Sequence, residues 1–166
     1  MKKINFLVGI CIFSAAFSLA AQSNTIIDTF LNEKVATYGN AAYLVLNASS
    51  RLKDEATVND AVEYIKKNDW RWRKKKPIIH KKSETITLGQ FCFLITKSWN
   101  YKGGLMHRIF PGVRYSAREL HYLGCFKGSF AADRKISGED ALKILGNFIE
   151  IMEEKQKKEN NGENES

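Results

Sequence analysis

The segment Trp70-Arg71-Trp72-Arg73-Lys74-Lys75-Lys76-Pro77, followed by His80-Lys81-Lys82, concentrates the side chains that recognise anions. Seven cationic residues fall between positions 71 and 82, with two tryptophans at the start. Cations draw an anionic polymer to a surface, while indole faces stack on sugar rings or support neighbouring guanidinium groups. Trp70 alone reads as a core plug. Trp72, set between Arg71 and Arg73 and followed by Lys74 and Lys75, stands where a binding residue would. One exposed cation–π pair is worth only about 0.5–1 kcal/mol, so the expectation rests on the cluster rather than on any pair.

A second candidate runs from Lys102 to Arg114, KGGLMHRIFPGVR. Its paired glycines permit close approach of backbone to a ligand, and Arg108 and Arg114 could share one groove, with Tyr115 alongside. The same stretch reads as a structured connection, and on that reading Leu105, Met106, Ile109 and Phe110 tuck inward. Catalysis finds little to work with. His80, His107 and His121 have no metal-ligand spacing with one another or with the cysteines. Glu119 and His121 alternate on a helix and so diverge. Cys125 and His121 lie four apart, which suits a nucleophile pair, but in an apolar context. No glycine fingerprint for a nucleotide stands between a strand and a helix. The expectation is a non-enzymatic binding module without cofactor or metal.

Positioning these groups requires a folded domain, and the ends of the chain bound it. Lys2 and Lys3 precede an apolar run from Ile4 to Leu19, and Ser18-Leu19-Ala20 offers small residues for cleavage before Ala21. Residues 1–20 are therefore expected to be an export signal, placing the mature chain in the periplasm or at the cell surface with no transmembrane segment after cleavage. Cleavage lowers the formal charge from +8 to +6, because only Lys2 and Lys3 are lost. That surplus favours envelope polymers or lipid headgroups, and export makes nucleic acid the least suitable anion. Cys92 and Cys125 remain, and either a disulfide or two buried thiols suits them. From Glu153 the chain reads EEKQKKENNGENES, with no apolar residue, and is expected to be a disordered tail beyond a domain at 24–152.

Within that domain three helix starts recur. Thr37, Thr87 and Ser137 are spaced 50 apart; each follows an apolar residue (Ala36, Ile86, Ile136) and precedes an apolar run. Thr57 begins a related segment. A hydroxyl with a polar residue three positions on can form a capping box, and Thr87 with Gln90 and Ser137 with Asp140 fit best. Helical spacing also marks Ile26, Ile27, Phe30 and Leu31, then Ala61, Val62 and Ile65, and the stretch 115–123. The two prolines fall in connections, and strand alternation is absent apart from a short piece near Ile78. The expected class is all-α, with short helices and long loops.

The stretch RYSARELHYLGCFKGSFAADRKISGEDALKILGNFI, Arg114 to Ile149, resembles one S-layer homology module. Tyr115 and Ala117 stand near that family's aromatic-Ala pair; Gly124, Gly128, Phe130 and Asp133 fill its loop; Ile136-Ser137-Gly138-Glu139 stands at its second helix start. Ala61 to Trp99 resembles a more divergent copy, and Ala36 to Leu46 the closing helix of a third. The resemblance implies a helical pseudo-trimer that grips wall-linked polysaccharide in grooves between units. It also implies an arginine in a Thr-Arg-Ala-Glu segment that binds an acidic sugar substituent. Here Tyr38, Leu88 and Gly138 occupy that arginine's position. The functional expectation is an exported envelope module that binds an anionic glycan or wall polymer through Arg71, Trp72, Arg73, Lys74, Lys75, Arg108, Arg114 and Tyr115. The alternative is a helical module that binds another envelope protein.

Overall fold

A computed structural model describes residues 25–68, 70 and 81–162, with side chains as far as Lys158. The expected export signal at 1–20 and the candidates Arg71, Trp72, Arg73, Lys74 and Lys75 lie outside the described residues. Among the described residues the architecture is all-α. Helix α1 covers 25–31. It is followed by α2 (Tyr38–Ala48), α3 (Val58–Lys67), α4 (Leu88–Ser98), α5 (Leu105–Ile109), α6 (Val113–Tyr122) and α7 (Gly138–Gly162).

The hydroxyl residues start helices, each with its own chemistry. Thr57 with Asp60 and Thr87 with Gln90 form reciprocal capping boxes. Ser137 Oγ accepts from the Asp140 amide at 3.0 Å. Thr37 is different: its own amide and hydroxyl both donate to the Glu33 carboxylate, at 2.7 and 3.1 Å. Asn40 Nδ2 also donates to Glu33, at 2.7 Å. Glu33 thus accepts from the N-cap amide of α2 as Asp60 and Gln90 do for α3 and α4, while the Thr37 side chain makes no capping bond.

The segments just before α2, α4 and α7 hydrogen-bond to one another in a closed ring. Tyr38 N donates to Glu84 O at 2.7 Å, and Leu88 N donates to Arg134 O at 2.7 Å. Gly39 N reaches Lys82 O and Gly89 N reaches Ala132 O, each at 2.9 Å. Ile86 N donates to Ala36 O at 2.9 Å, Ala36 N to Ile136 O at 2.8 Å, and Gly138 N to Glu33 O at 3.0 Å. Two isolated antiparallel bridges, Thr37 with Thr85 and Thr87 with Lys135, belong to the same ring. Ala36, Ile86 and Ile136, the apolar residues before each hydroxyl, are buried at its centre.

Burial follows from this arrangement. Helices α2 and α4 pack on each other and are buried on nearly every side, which their apolar runs AAYLVL and FCFLIT permit. Helix α3 packs on α2 and α6 on α4, each burying one stripe: Ala61, Val62 and Ile65 in α3, and Ser116, Ala117 and Leu120 in α6. Helix α7 buries Ala141, Ile144, Leu145 and Phe148, spaced three and four apart.

The helix ends explain an unexpected length. α2 stops with Ser50 at φ 53° and α4 with Asn100 at φ 48°, left-handed residues that turn the chain back. In each case an amide one residue further on bonds to the carbonyl five back, Arg51 N to Leu46 O and Tyr101 N to Thr96 O, both near 2.9 Å. Gly124, at φ 83°, ends α6 in the same way. α7 has no such residue at the matching position, where Glu150 stands, and it continues to Gly162. The polar stretch from Glu153, expected to be disordered, is therefore helical over residues 153–162: helix-favouring Glu, Lys and Gln extend an already nucleated helix without needing apolar contacts.

Cys92 and Cys125 are both free and buried. Of the two readings open from sequence, the thiol pair is the one found. Among the described residues no helix is long and apolar enough to cross a membrane.

Candidate functional site

The turn after α4 and the face of α5 enclose a cleft of about 360 Å³. Phe93, Thr96 and Lys97 come from α4; Asn100, Tyr101 and Lys102 from the left-handed turn that ends it; His107 and Arg108 from α5; and Pro111 closes the edge. Three lining residues are cationic and none is a carboxylate. A larger groove of about 720 Å³ lies along α3, but it mixes Arg51, Lys53, Lys66 and Lys67 with Glu55, Asp60 and Glu63. The mixed groove has no strong preference for either sign of charge, whereas the smaller cleft favours an anion.

The floor of the cleft is a buried polar chain. Thr96 Oγ1 donates to the Phe93 carbonyl at 3.1 Å, which commits its only proton. Ser116 Oγ, 3.1 Å from Thr96 Oγ1, must then be the donor in that pair. Its remaining capacity is to accept, so His107 Nε2, 3.2 Å away, carries the ring proton and donates to it. Burial lowers the His107 pKa from its ordinary value, and Lys97 pushes it the same way against the opposing charge of Glu119. A neutral ring with its proton on Nε2 is the tautomer that lets all three side chains keep these bonds.

This geometry does not suit a serine nucleophile. A nucleophilic hydroxyl must meet a substrate's electrophilic atom, and Ser116 is fully buried. Cys125 and His121 fare no better. Burial pushes the Cys125 thiol up to about 11, away from the thiolate that such chemistry needs. His121 packs against Phe126 and Phe130, with ring centroids 5.5 and 5.3 Å apart. Among the described residues no three His, Cys, Asp or Glu side chains gather as a metal site requires.

Arg108 is the candidate from sequence that lines the cleft. Arg114 is exposed on the first turn of α6 and is not part of the lining, so the two arginines do not share this groove. Tyr115 is partly buried and stacks on Phe110, with centroids 6.1 Å apart and planes 26° from parallel. The inward packing expected for Leu105, Met106, Ile109 and Phe110 is not found: they are 70, 54, 55 and 57 % exposed. The reason is that α5 turns its polar side in. His107 bonds to Ser116, and Gly104 N donates to Glu119 Oε2 at 3.0 Å, fixing both the helix and its entry on α6. Gly103 is packed so closely on Glu119 that a Cβ would come within 2.8 Å of its carboxylate. Sequence reasoning placed Lys102 and His107 in the second candidate segment without singling out either, and it missed Lys97 and the bonding of His107 through Ser116 to Thr96. Lys102 beside paired glycines was the available signal; nothing local marked Ser116, which faces His107 only once α5 folds back on α6.

The chain matches no protein-family model, no curated protein and no solved structure.

Proposed function

We propose that this protein is an exported, non-enzymatic module of a bacterial cell envelope, divergently related to S-layer homology domains, that binds an anionic glycan or wall polymer. The observation that carries the reading is the cleft between α4 and α5, whose lining includes Lys97, Lys102, Arg108 and Tyr101 and no carboxylate. A guanidinium and two ammonium groups can engage the carboxylates or phosphates of such a polymer, and an aromatic side chain can lie against a sugar ring. The volume suits one or two sugar units rather than a long chain segment. The leader-like residues 1–20 motivate export. The ring joining three helix starts at 50-residue spacing supports kinship with a family built from such units. The cationic stretch Arg71 to Lys75 adds a second group of anion-attracting residues to the sequence.

The test is co-sedimentation with purified envelope and wall fractions across a salt series. The wild-type chain is compared with Lys97→Ala/Lys102→Ala/Arg108→Ala and with Arg71→Ala/Trp72→Ala/Arg73→Ala. Retention that falls steeply with salt, and that the first variant loses, supports the reading. Retention unaffected by both variants refutes it. The α3 groove, with its mixed charges, favours a second reading in which another envelope protein is the partner. Saturable, salt-tolerant binding to one protein would identify that case.

A further inference from the structure

We infer that α5 is a membrane-contacting element, which docks the protein on the surface of an anionic lipid bilayer. Leu105, Met106, Ile109 and Phe110 occupy one side of this short helix and the residue after it, and each is more than half exposed. A surface that gathers four large apolar side chains in six residues marks a place of contact. Nor can the loop relieve the exposure by rotating. His107 is held on Ser116 and Gly104 on Glu119, so the inward side of α5 is already hydrogen-bonded to α6.

The charges around the patch select the occupant. Exposed Lys102, Arg108 and Arg114 flank it in sequence, and the acid that faces the loop from α6, Glu119, is engaged with the Gly104 amide. An apolar centre with a cationic rim matches acyl chains beneath phosphate-bearing headgroups. A soluble polysaccharide would meet the cations and leave the apolar side chains wet. A second copy of the chain, paired face to face, would bring three cations against three. With five residues in α5 and no described helix able to span a bilayer, the contact is interfacial.

This reading depends on Leu105, Ile109 and Phe110, none of which lines the cleft, so its failure and that of the polymer reading are separable. The experiment uses the full chain and sucrose-loaded vesicles of phosphatidylcholine, with and without phosphatidylglycerol. Wild type should partition onto the anionic vesicles in preference to the neutral ones. Leu105→Ser/Ile109→Ser/Phe110→Ser should lose roughly tenfold or more of that partitioning and keep its binding to soluble anionic polymer. Because Phe110 stacks on Tyr115, Leu105→Ser/Ile109→Ser decides the matter if the triple variant melts early. Equal partitioning of wild type and variants overturns the inference, as does indifference to vesicle charge. Sedimentation of the wild type as a dimer that the same substitutions disperse would assign the patch to a second copy instead.

Discussion

Replacing Gly138 with alanine should cost this protein about 3–5 kcal/mol, although the residue is the first of a helix and its φ lies outside the left-handed range. A Cβ there would lie 1.6 Å from the carbonyl oxygen of Phe30 and 2.6 Å from its carbonyl carbon. Ordinary contact needs about 3.5 Å, so the two backbones must part by about 2 Å. That separation would break the bond from Gly138 N to Glu33 O and strain the one from Ala36 N to Ile136 O, worth about 1 kcal/mol each. It would also lift Phe30, which is fully buried, off the core, at a further 1–3 kcal/mol or so. Domains of this size are stable by about 5–15 kcal/mol, so the variant should fold marginally, with a melting temperature lower by roughly 10–20 °C. The control is Gly146→Ala, where a Cβ meets nothing within 4 Å. In mid-helix that change should stabilise by up to about 1 kcal/mol. Urea unfolding followed by far-ultraviolet circular dichroism measures both. A Gly138→Ala variant within about 1 kcal/mol of wild type would refute the close-approach reasoning. The same contact predicts that Gly138→Arg should fold no better than the alanine variant.

Two further outcomes follow from buried titratable groups. The pKa of His107 is lowered in the fold from 6.5, so its contribution to stability is complete above pH 6.5 and is lost as pH falls, because the unfolded chain takes up a proton that the buried ring resists. His107→Gln should flatten the decline in stability as pH falls below 6.5 relative to wild type; an unchanged slope would show that the ring does not resist protonation. Cys92 and Cys125 are almost wholly inaccessible, and burial raises both thiols, Cys125 to about 11. At pH 7.5 a small alkylating reagent should label neither until denaturant unfolds the domain, and rapid native labelling of either would contradict the packing.

Much of the fold was legible because its signals are local. Thr57, Thr87 and Ser137 accept from amides three residues on, as the order of side chains required. The apolar residues before Thr37, Thr87 and Ser137 proved to be the buried centre of the ring. The misreadings involved partners distant in sequence or a rule applied in the wrong direction. Glu33 as the acceptor of the Thr37 amide requires a carboxylate to reach across four residues from before the helix. Leu105, Met106, Ile109 and Phe110 were assigned inward on hydrophobicity alone; what decides their direction is Ser116 and Glu119, which claim the polar side of the loop from another helix. The end of α7 was misplaced because a helix needs a stop signal as well as apolar contacts to end, and residues near Glu150 supply none. The cleft was half legible: Arg108 was named, while Lys97 and Lys102 became partners only through the left-handed turn at Asn100.

The ring that joins residues 33–39, 82–89 and 132–138 has a consequence for how the chain reaches its native state. A linear array can lose a terminal unit and keep the rest, because each unit touches only its neighbours. A ring cannot, since its last segment docks on its first. Ala36 and Ile136 are 100 positions apart in the chain, so the closing contacts carry the largest entropic cost of loop closure and come late. Chains truncated before residue 132 should therefore fail to fold as a whole rather than persist as smaller versions of the domain, and unfolding should be a single all-or-none transition.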